Sequence, residues 1–187
     1  MPGLIDFILY CIYSRMVDVE LYGGSKGEHL VCSALLKFIE GHQKDMITCL
    51  RRSNRFRAPG AFEELHTMVQ GYLGKGNKMG EGWLLTAEMI ELTQGGYGNI
   101  VCAQPFGCLP NHICGKGMIN KIRALYPSAN ITPIDYDPSA TKVNQENRIK
   151  LMLAVARENL QQGMAAPEPV TAESLAGGAP QMAHSVH

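Results

Sequence analysis

Apolar residues recur at helical spacing through the first half of the chain. The pattern predicts helices over residues 3–20, 25–50 and 61–73, with a break near Gly41 in the second helix. The first helix is apolar nearly all round, so we expect it to be buried or paired with a neighbour. Residues 71–82 are glycine-rich but lack the Gly-Lys-Ser/Thr ending of a phosphate-binding loop, and we interpret them as a connection.

Helices and strands alternate in the second half. The predicted order is a helix over 81–93, a strand over 99–104, a helix over 112–126, a strand over 131–135 and a helix over 141–160. Two strands joined by a helical crossover imply a parallel βαβ unit. The first strand is a continuous apolar run, which predicts burial on both faces. Two strands do not complete a sheet, so we expect an exposed edge that requires further strands.

These elements predict an α/β fold with a helical N-terminal half. A parallel βαβα unit follows it, as an incomplete flavodoxin- or Rossmann-like three-layer sheet. The predicted division is a helical region over 1–78, an α/β cluster-loop subdomain over 79–162 and a disordered tail over 163–187. The tail is assigned from its Ala, Pro, Gly, Ser and Glu content, which shows no periodicity.

Composition narrows the class of protein. The 187 residues are 45% hydrophobic and carry a formal net charge of zero, so nothing favours a nucleic-acid partner. No secretory signal is evident, and the apolar run over residues 4–13 is shorter than the roughly 20 residues that span a bilayer. We therefore expect a soluble cytoplasmic protein without a membrane partner. Its six cysteines are then expected to be thiols or metal ligands rather than disulfides.

The segment after the first predicted strand carries the main candidate chemistry. Cys108 follows Gly107 in a proline-bounded loop at the carboxyl edge of the sheet, where α/β proteins bind ligands. We expect Cys108 to be a functional thiolate. Cys102 lies on the strand itself, where core packing and function both remain open. Cys114, in the first helical turn, is interpreted as a packing residue.

Other residues near this loop leave alternatives open. Cysteines separated by five residues match neither a ferredoxin run nor a zinc ribbon, so spacing alone predicts no complete metal site. One alternative is a small zinc module of Cys108, His112 and Cys114. Asp135, Asp137 and Arg148 are further candidates for a polar site, with turn and helix-cap roles as the alternative for the aspartates. The remaining cysteines are interpreted as packing residues: Cys11, Cys32 and Cys49.

Five segments resemble the C-terminal part of large activase-related proteins. These proteins belong with the 2-hydroxyacyl-CoA dehydratases and benzoyl-CoA reductases. The resemblance is specific from residue 79 to 154, and the segments are 80–89 (GEGWLLTAEM), 104–112 (QPFGCLPNH), 115–117 (GKG), 135–138 (DYDP) and 143–151 (VNQENRIKL).

The resemblance implies an anaerobic iron–sulfur protein that takes part in ATP-driven, low-potential electron transfer to acyl-CoA substrates. The family holds a [4Fe–4S] cluster through cysteines from separate subdomains, one of them in the loop that corresponds to 104–112. Carried across by position, Cys108 is implied as a cluster ligand, with Cys102 as the second candidate.

The chain departs from the family pattern in ways that change the expected function. The ATPase modules and the upstream Cys-Pro segments of the family are absent. A site-differentiated cluster needs about three protein thiolates. We therefore expect a fragment or subunit that is completed by a partner subunit or by missing N-terminal segments. The alternative is a non-catalytic interaction or remnant domain without a cluster.

Overall fold

The fold is built from six α-helices and two strands within the part of the chain that the structure describes. The structure is a computed structural model, and it describes residues 3–53, 55–56, 58–136 and 142–162. The elements are α1 (Leu4–Tyr22), α2 (Lys26–Ser53), α3 (Phe62–Met68), α4 (Trp83–Gln94), β1 (Asn99–Pro105), α5 (Ile119–Leu125), β2 (Asn130–Tyr136) and α6 (Lys142–Gln161). The predicted mixed α/β class, with a helical first half and a parallel two-stranded sheet, is confirmed.

The first two helices pack against each other, and one buried amide joins them to the third. Gln43 Nε2 donates to Asp6 Oδ1 at 2.6 Å, while the backbone N–H of Phe62 donates to Gln43 Oε1 at 3.2 Å. Helix α2 continues through Gly41, so the predicted break is wrong. A glycine inside a helix costs only about 1 kcal/mol, which is too little to end a helix of 28 residues that packs on α1.

Two cysteines of this helical half lie in solvent. Cys11 and Cys49 are exposed and Cys32 is half-buried, so the packing interpretation is wrong for the first two. Helix α1 buries only one stripe, which includes Leu9 and Tyr10. Cys11 lies a further 100° round the helix and falls outside that stripe.

Helix α4 joins the two hydrophobic clusters of the molecule. Its first turns pack with α1 and α3, and its last turns pack with the sheet and α5. The first cluster consists of Leu9, Tyr10, Phe62, Leu65, Val69, Trp83, Leu84 and Ala87. The second consists of Met89, Ile90, Ile100, Cys102, Ile119, Ile122, Ala129 and Ile131. The helical half is therefore fixed to the sheet through a shared element.

The two strands are parallel and in register from the pair Asn99–Asn130 to the pair Pro105–Tyr136. On β1 only one side is buried, which we call the inner face: Ile100, Cys102 and Gln104. The other side, the outer face, leaves Val101 exposed. The predicted burial of β1 on both faces is therefore wrong, because α6 covers the outer face mainly over β2.

The segment after β1 is not the single helix that the sequence predicts over 112–126. It forms a π-helical turn over Asn111–Gly115 and a 3₁₀ turn over Lys116–Met118 before α5 begins. A Cβ atom on Gly115 would lie 3.2 Å from Cys102 Sγ, so the glycine lets the π-helical turn approach the strand closely. Leu125, the last residue of α5, is exposed.

Helix α6 buries little of its apolar stripe. Met152 is its buried residue, whereas other apolar residues at helical spacing are exposed: Val143, Ile149, Leu153 and Leu160. Within the described ranges no helix is long and apolar enough to cross a membrane. The predicted tail, 163–187, lies outside the described residues.

Candidate functional site

The loop that follows β1 turns sharply at the carboxyl edge of the sheet. The backbone N–H of Phe106 still donates to Tyr136 at 3.1 Å and ends the ladder. Gly107 then adopts φ +72°, a left-handed conformation that side chains disfavour. The N–H of Cys108 donates back to the Pro105 carbonyl at 3.2 Å, which closes the turn. The strand end, a glycine and this closing bond therefore fix Cys108 at the sheet edge.

The thiol of Cys108 is half-buried and has a hydrogen-bond donor. Asn111 Nδ2 donates to Cys108 Sγ at 3.1 Å from the first position of the π-helical turn. Asn111 is buried, and its Oδ1 atom has no hydrogen-bond partner in the structure. Hydrogen bonds to sulfur stabilise thiolates and tune metal-bound sulfur. The site therefore provides an accessible sulfur with a positioned amide donor.

The other two cysteines of the stretch are packed. Cys102 is buried on the inner face, and burial, with smaller contributions from Asp135 and Glu88, raises the pKa of its thiol. Cys114 is buried as predicted, and burial likewise raises the pKa of its thiol. Both cysteines therefore serve as packing residues in this conformation.

The zinc module considered from the sequence is not assembled. The exposed His112 ring places Nδ1 3.0 Å from the carbonyl oxygen of Cys108, so the ring lies against its own helical turn. Across the described residues, no group of three His, Cys, Asp or Glu side chains is placed to hold a metal ion. Among the described cysteines of this stretch, Cys108 is therefore the one that is not buried.

Polar groups extend from Cys108 toward β2. Gln104 is 1% exposed and its Nε2 donates to Asp135 Oδ1 at 2.5 Å across the two strand ends. Asp137 lies outside the described residues. A cleft of about 740 Å³ opens beside Asp135, and its lining residues are Phe106, Asp135, Asn144, Gln145, Asn147, Arg148 and Leu151. Arg148 Nη1 donates to the Pro133 carbonyl at 3.1 Å, so this arginine is already engaged by the sheet.

Exposed apolar side chains surround the loop. Phe106 is 70% exposed, Leu109 66% and Ile113 47%. Clustered exposed apolar groups of this kind mark interaction sites more often than inert surface.

Sequence reasoning missed two features of this region. One is the Asn111 donor, whose signal was its position three residues after Cys108 at the start of a helical turn. The other is a partly buried carboxyl group, Glu88, whose pKa is raised to about 8 by burial and then by Asp6 and Glu91. No local sequence pattern identifies this group of carboxylates, because Asp6 lies on α1, far along the chain from Glu88 and Glu91.

The fold and the loop together define a class: an incomplete parallel α/β unit that presents one accessible cysteine at the carboxyl edge of its sheet. Comparisons of the chain with known proteins add nothing to this description. No protein family, no curated protein and no solved structure matches the chain.

Proposed function

We propose that this chain contributes Cys108 as one ligand to an iron–sulfur centre of the 2-hydroxyacyl-CoA dehydratase or activase type. The remaining ligands come from a partner subunit or from further protein segments. The hydrogen bond from Asn111 Nδ2 to the accessible Cys108 sulfur is the observation that carries the proposal. The sequence resemblance over residues 79–154 gives the cluster type, [4Fe–4S], and the acyl-CoA substrate class.

The donor chemistry of the loop fits a cluster ligand. A thiolate at a cluster commonly accepts amide hydrogen bonds, which help to set the reduction potential. The Asn111 amide is buried and faces the sulfur from its own turn, so it is preorganised for this role. The apolar side chains of Phe106 and Leu109 would exclude water from a centre that a partner covers.

The described residues do not fit a complete cluster site. A cluster with one open iron needs about three thiolates, and Cys102 and Cys114 are buried in the described structure. A bound cluster would supply single-electron chemistry to the thioester carbonyl of a 2-hydroxyacyl-CoA. The share of this chain is to position one sulfur, to donate a hydrogen bond to it and to shield it from water.

Anaerobic reconstitution tests the proposal. The full chain is incubated with ferrous iron, sulfide and an excess of a small monothiol, which fills the coordination positions that protein thiolates would otherwise occupy. Protein-bound iron, acid-labile sulfide and the visible spectrum are then measured after desalting. We expect the wild type to retain iron and sulfide in equal amounts, and Cys108→Ala to lose both. Cys11→Ala is the matched control, because it removes an exposed thiol far from the loop in sequence.

Two results would overturn the proposal. One is a wild-type chain that retains no iron when exogenous thiol is supplied. The other is a Cys108→Ala variant that retains as much iron as the wild type. Circular dichroism of each variant checks that the fold is unchanged.

A second candidate is an interaction domain without a cluster. The exposed apolar side chains around the loop favour it, since such a surface binds a protein whether or not iron is present. This candidate predicts that Cys108→Ala leaves partner binding and stability unchanged, and that reconstitution fails for every variant.

A further inference from the structure

The π-helical turn over Asn111–Gly115 is anchored from α4 by a buried hydroxyl group. Thr86 is fully buried, and its Oγ1 atom donates to the carbonyl oxygen of Cys114 at 2.5 Å. Cys114 is itself 3% exposed, so the bond is shielded from water. A buried hydrogen bond is costly to lose, because its donor and acceptor gain no water in exchange. Thr86 therefore fixes the backbone of the turn against α4.

The turn lies between two hydrogen-bonding patterns. The backbone N–H of Lys116 donates to the carbonyl groups of both Asn111 and His112. The bond to Asn111 has the spacing of a π-helix, and the bond to His112 has the spacing of an α-helix. Side chains that bond to the backbone of a helix are one cause of such irregular turns. The Thr86 hydroxyl supplies a contact of this kind.

Two glycines let the turn pack closely on its neighbours. A Cβ atom on Gly115 would lie 3.2 Å from Cys102 Sγ, and a Cβ atom on Gly117 would lie 2.9 Å from the carbonyl oxygen of His112. Because closely packed groups transmit small displacements, a shift at one end of the turn moves the other end. Asn111 lies at that other end.

The side chain of Asn111 depends on this backbone for its position. Asn111 is 5% exposed, and its Nδ2 atom donates to Cys108 Sγ at 3.1 Å. Its Oδ1 atom is buried and has no hydrogen-bond partner among the described residues. A second hydrogen bond would hold the amide plane if the backbone shifted, and no described residue provides one. The backbone of the turn therefore sets the distance from the amide donor to the sulfur.

We propose that Thr86 is a positioning residue for Cys108, acting through the π-helical turn and the Asn111 amide. The Thr86 hydroxyl holds the Cys114 carbonyl, and the turn then holds the Asn111 donor against the sulfur. The inference rests on the proposed function, since it concerns the sulfur that is proposed to bind the cluster. It extends the site from the loop to α4, which also packs with the helical half.

Loss of the Asn111 donor should make the Cys108 sulfur less reactive. An amide donor stabilises the thiolate, which is the form that reacts with electrophiles. A hydrogen bond to a charged group shifts an equilibrium by about tenfold or more. A stabilised thiolate is also a weaker nucleophile, with a Brønsted slope of about 0.4–0.5, so about threefold remains in the reaction rate.

Alkylation of Cys108 by iodoacetamide tests the proposal without iron. The full chain is treated anaerobically at neutral pH in the presence of a chelator, and mass spectrometry follows the modification of each cysteine. We expect Cys108 to be alkylated about threefold more slowly in Thr86→Val than in the wild type. The exposed Cys11 is the internal reference, and its rate should not change.

Two matched variants separate the Thr86 hydroxyl from general stability. Thr86→Ser keeps the donor and should react as the wild type does. Thr93→Val removes a hydroxyl from an equally buried position of α4, where Thr93 Oγ1 donates to the Met89 carbonyl of its own helix at 2.7 Å. This control should keep the wild-type rate at Cys108. Circular dichroism checks that each variant is folded.

A double variant tests whether Thr86 acts through Asn111. Asn111→Ala alone should slow the alkylation of Cys108 about threefold, and adding Thr86→Val should slow it no further. If Thr86→Val does not fold, Gly117→Ala takes its place, because the added Cβ atom displaces the His112 carbonyl from an exposed position. Gly117→Ala should have the same effect on the rate, both alone and together with Asn111→Ala.

Three results would overturn the proposal. The first is a Cys108 rate in Thr86→Val, or in its replacement Gly117→Ala, that equals the rate in Thr93→Val. The second is faster alkylation, which would show that the substitution only opens the loop. The third is a double variant that is slower than Asn111→Ala, which would give Thr86 another route to the sulfur. Because the assay contains no iron, the expected rates in a chain that retains no iron on reconstitution would contradict the proposed function alone.

Discussion

The carboxyl group of Glu88 should make the protein less stable as the pH rises through neutrality. Burial raises its pKa from 4.5 to about 8, with further contributions from Asp6, Glu91 and Glu81. The folded state therefore holds a proton that the unfolded state releases near its ordinary pKa. Stability from this group is fully present below about pH 4.5 and is lost as the pH rises to about 8.

The contribution of Glu88 to the free energy of unfolding can be separated from that of the neighbouring carboxyl group, Asp6. Burial and Glu91 raise the pKa of Asp6 to about 6, so Asp6 acts in the same direction but mainly at lower pH. Between about pH 6 and pH 8, full linkage of one proton is worth up to ~1.4 kcal/mol per pH unit. The Glu88 side chain is partly exposed, so solvent screens part of this effect. We therefore expect the free energy of unfolding to fall by about 1–2 kcal/mol over this range.

The substitution Glu88→Gln tests this reasoning. Glutamine keeps the shape of the protonated carboxyl but does not ionise, so the stability of the variant relative to the wild type should rise by about 1–2 kcal/mol between pH 6 and pH 8. Urea denaturation followed by circular dichroism at both pH values measures the difference. Glu63→Gln, on an exposed residue that does not contribute to the raised Glu88 pKa, should retain the pH dependence of the wild type.

The reasoning would be refuted by two outcomes. If Glu88→Gln loses stability between the two pH values as steeply as the wild type, another group carries the effect. If the variant is less stable than the wild type near pH 8, the carboxyl is ionised and favourably paired in the folded state.

Two further predictions concern backbone contacts. Gly82 has φ +43°, and a Cβ atom there would lie 2.1 Å from the Asn77 carbonyl oxygen, so Gly82→Ala should cost about 3–5 kcal/mol from strain plus overlap. Gly71→Ala, at φ +83° in open space, should cost only the strain of ~1–2 kcal/mol, and equal losses in denaturation would show that the overlap is relieved. The buried Thr86 hydroxyl donates to a backbone carbonyl of the π-helical turn at 2.5 Å, so Thr86→Val should cost about 1–3 kcal/mol. Thr67→Val removes only a local hydrogen bond at an exposed position of α3, so it should change the free energy of unfolding by less than about 0.5 kcal/mol. A similar loss of stability in both threonine variants would contradict the expected difference.

The sequence predicted the order and type of the elements because each carries its own periodicity. Both strands, the parallel crossover and the long helices were found this way. The burial of individual side chains was harder to predict, because it depends on neighbours that a local pattern does not contain. The apolar run of β1 is typical of a strand covered on both sides, yet Val101 is exposed since α6 lies mainly over β2.

The candidate site was predicted in part. Gly107 and the prolines indicated the loop, and the structure places Cys108 in a turn at the sheet edge. The sequence left Cys102 open between packing and function, and only the structure shows that the inner face buries it. The Asn111 donor depends on a π-helical turn, which follows from the close approach of Gly115 to the strand rather than from a helical pattern.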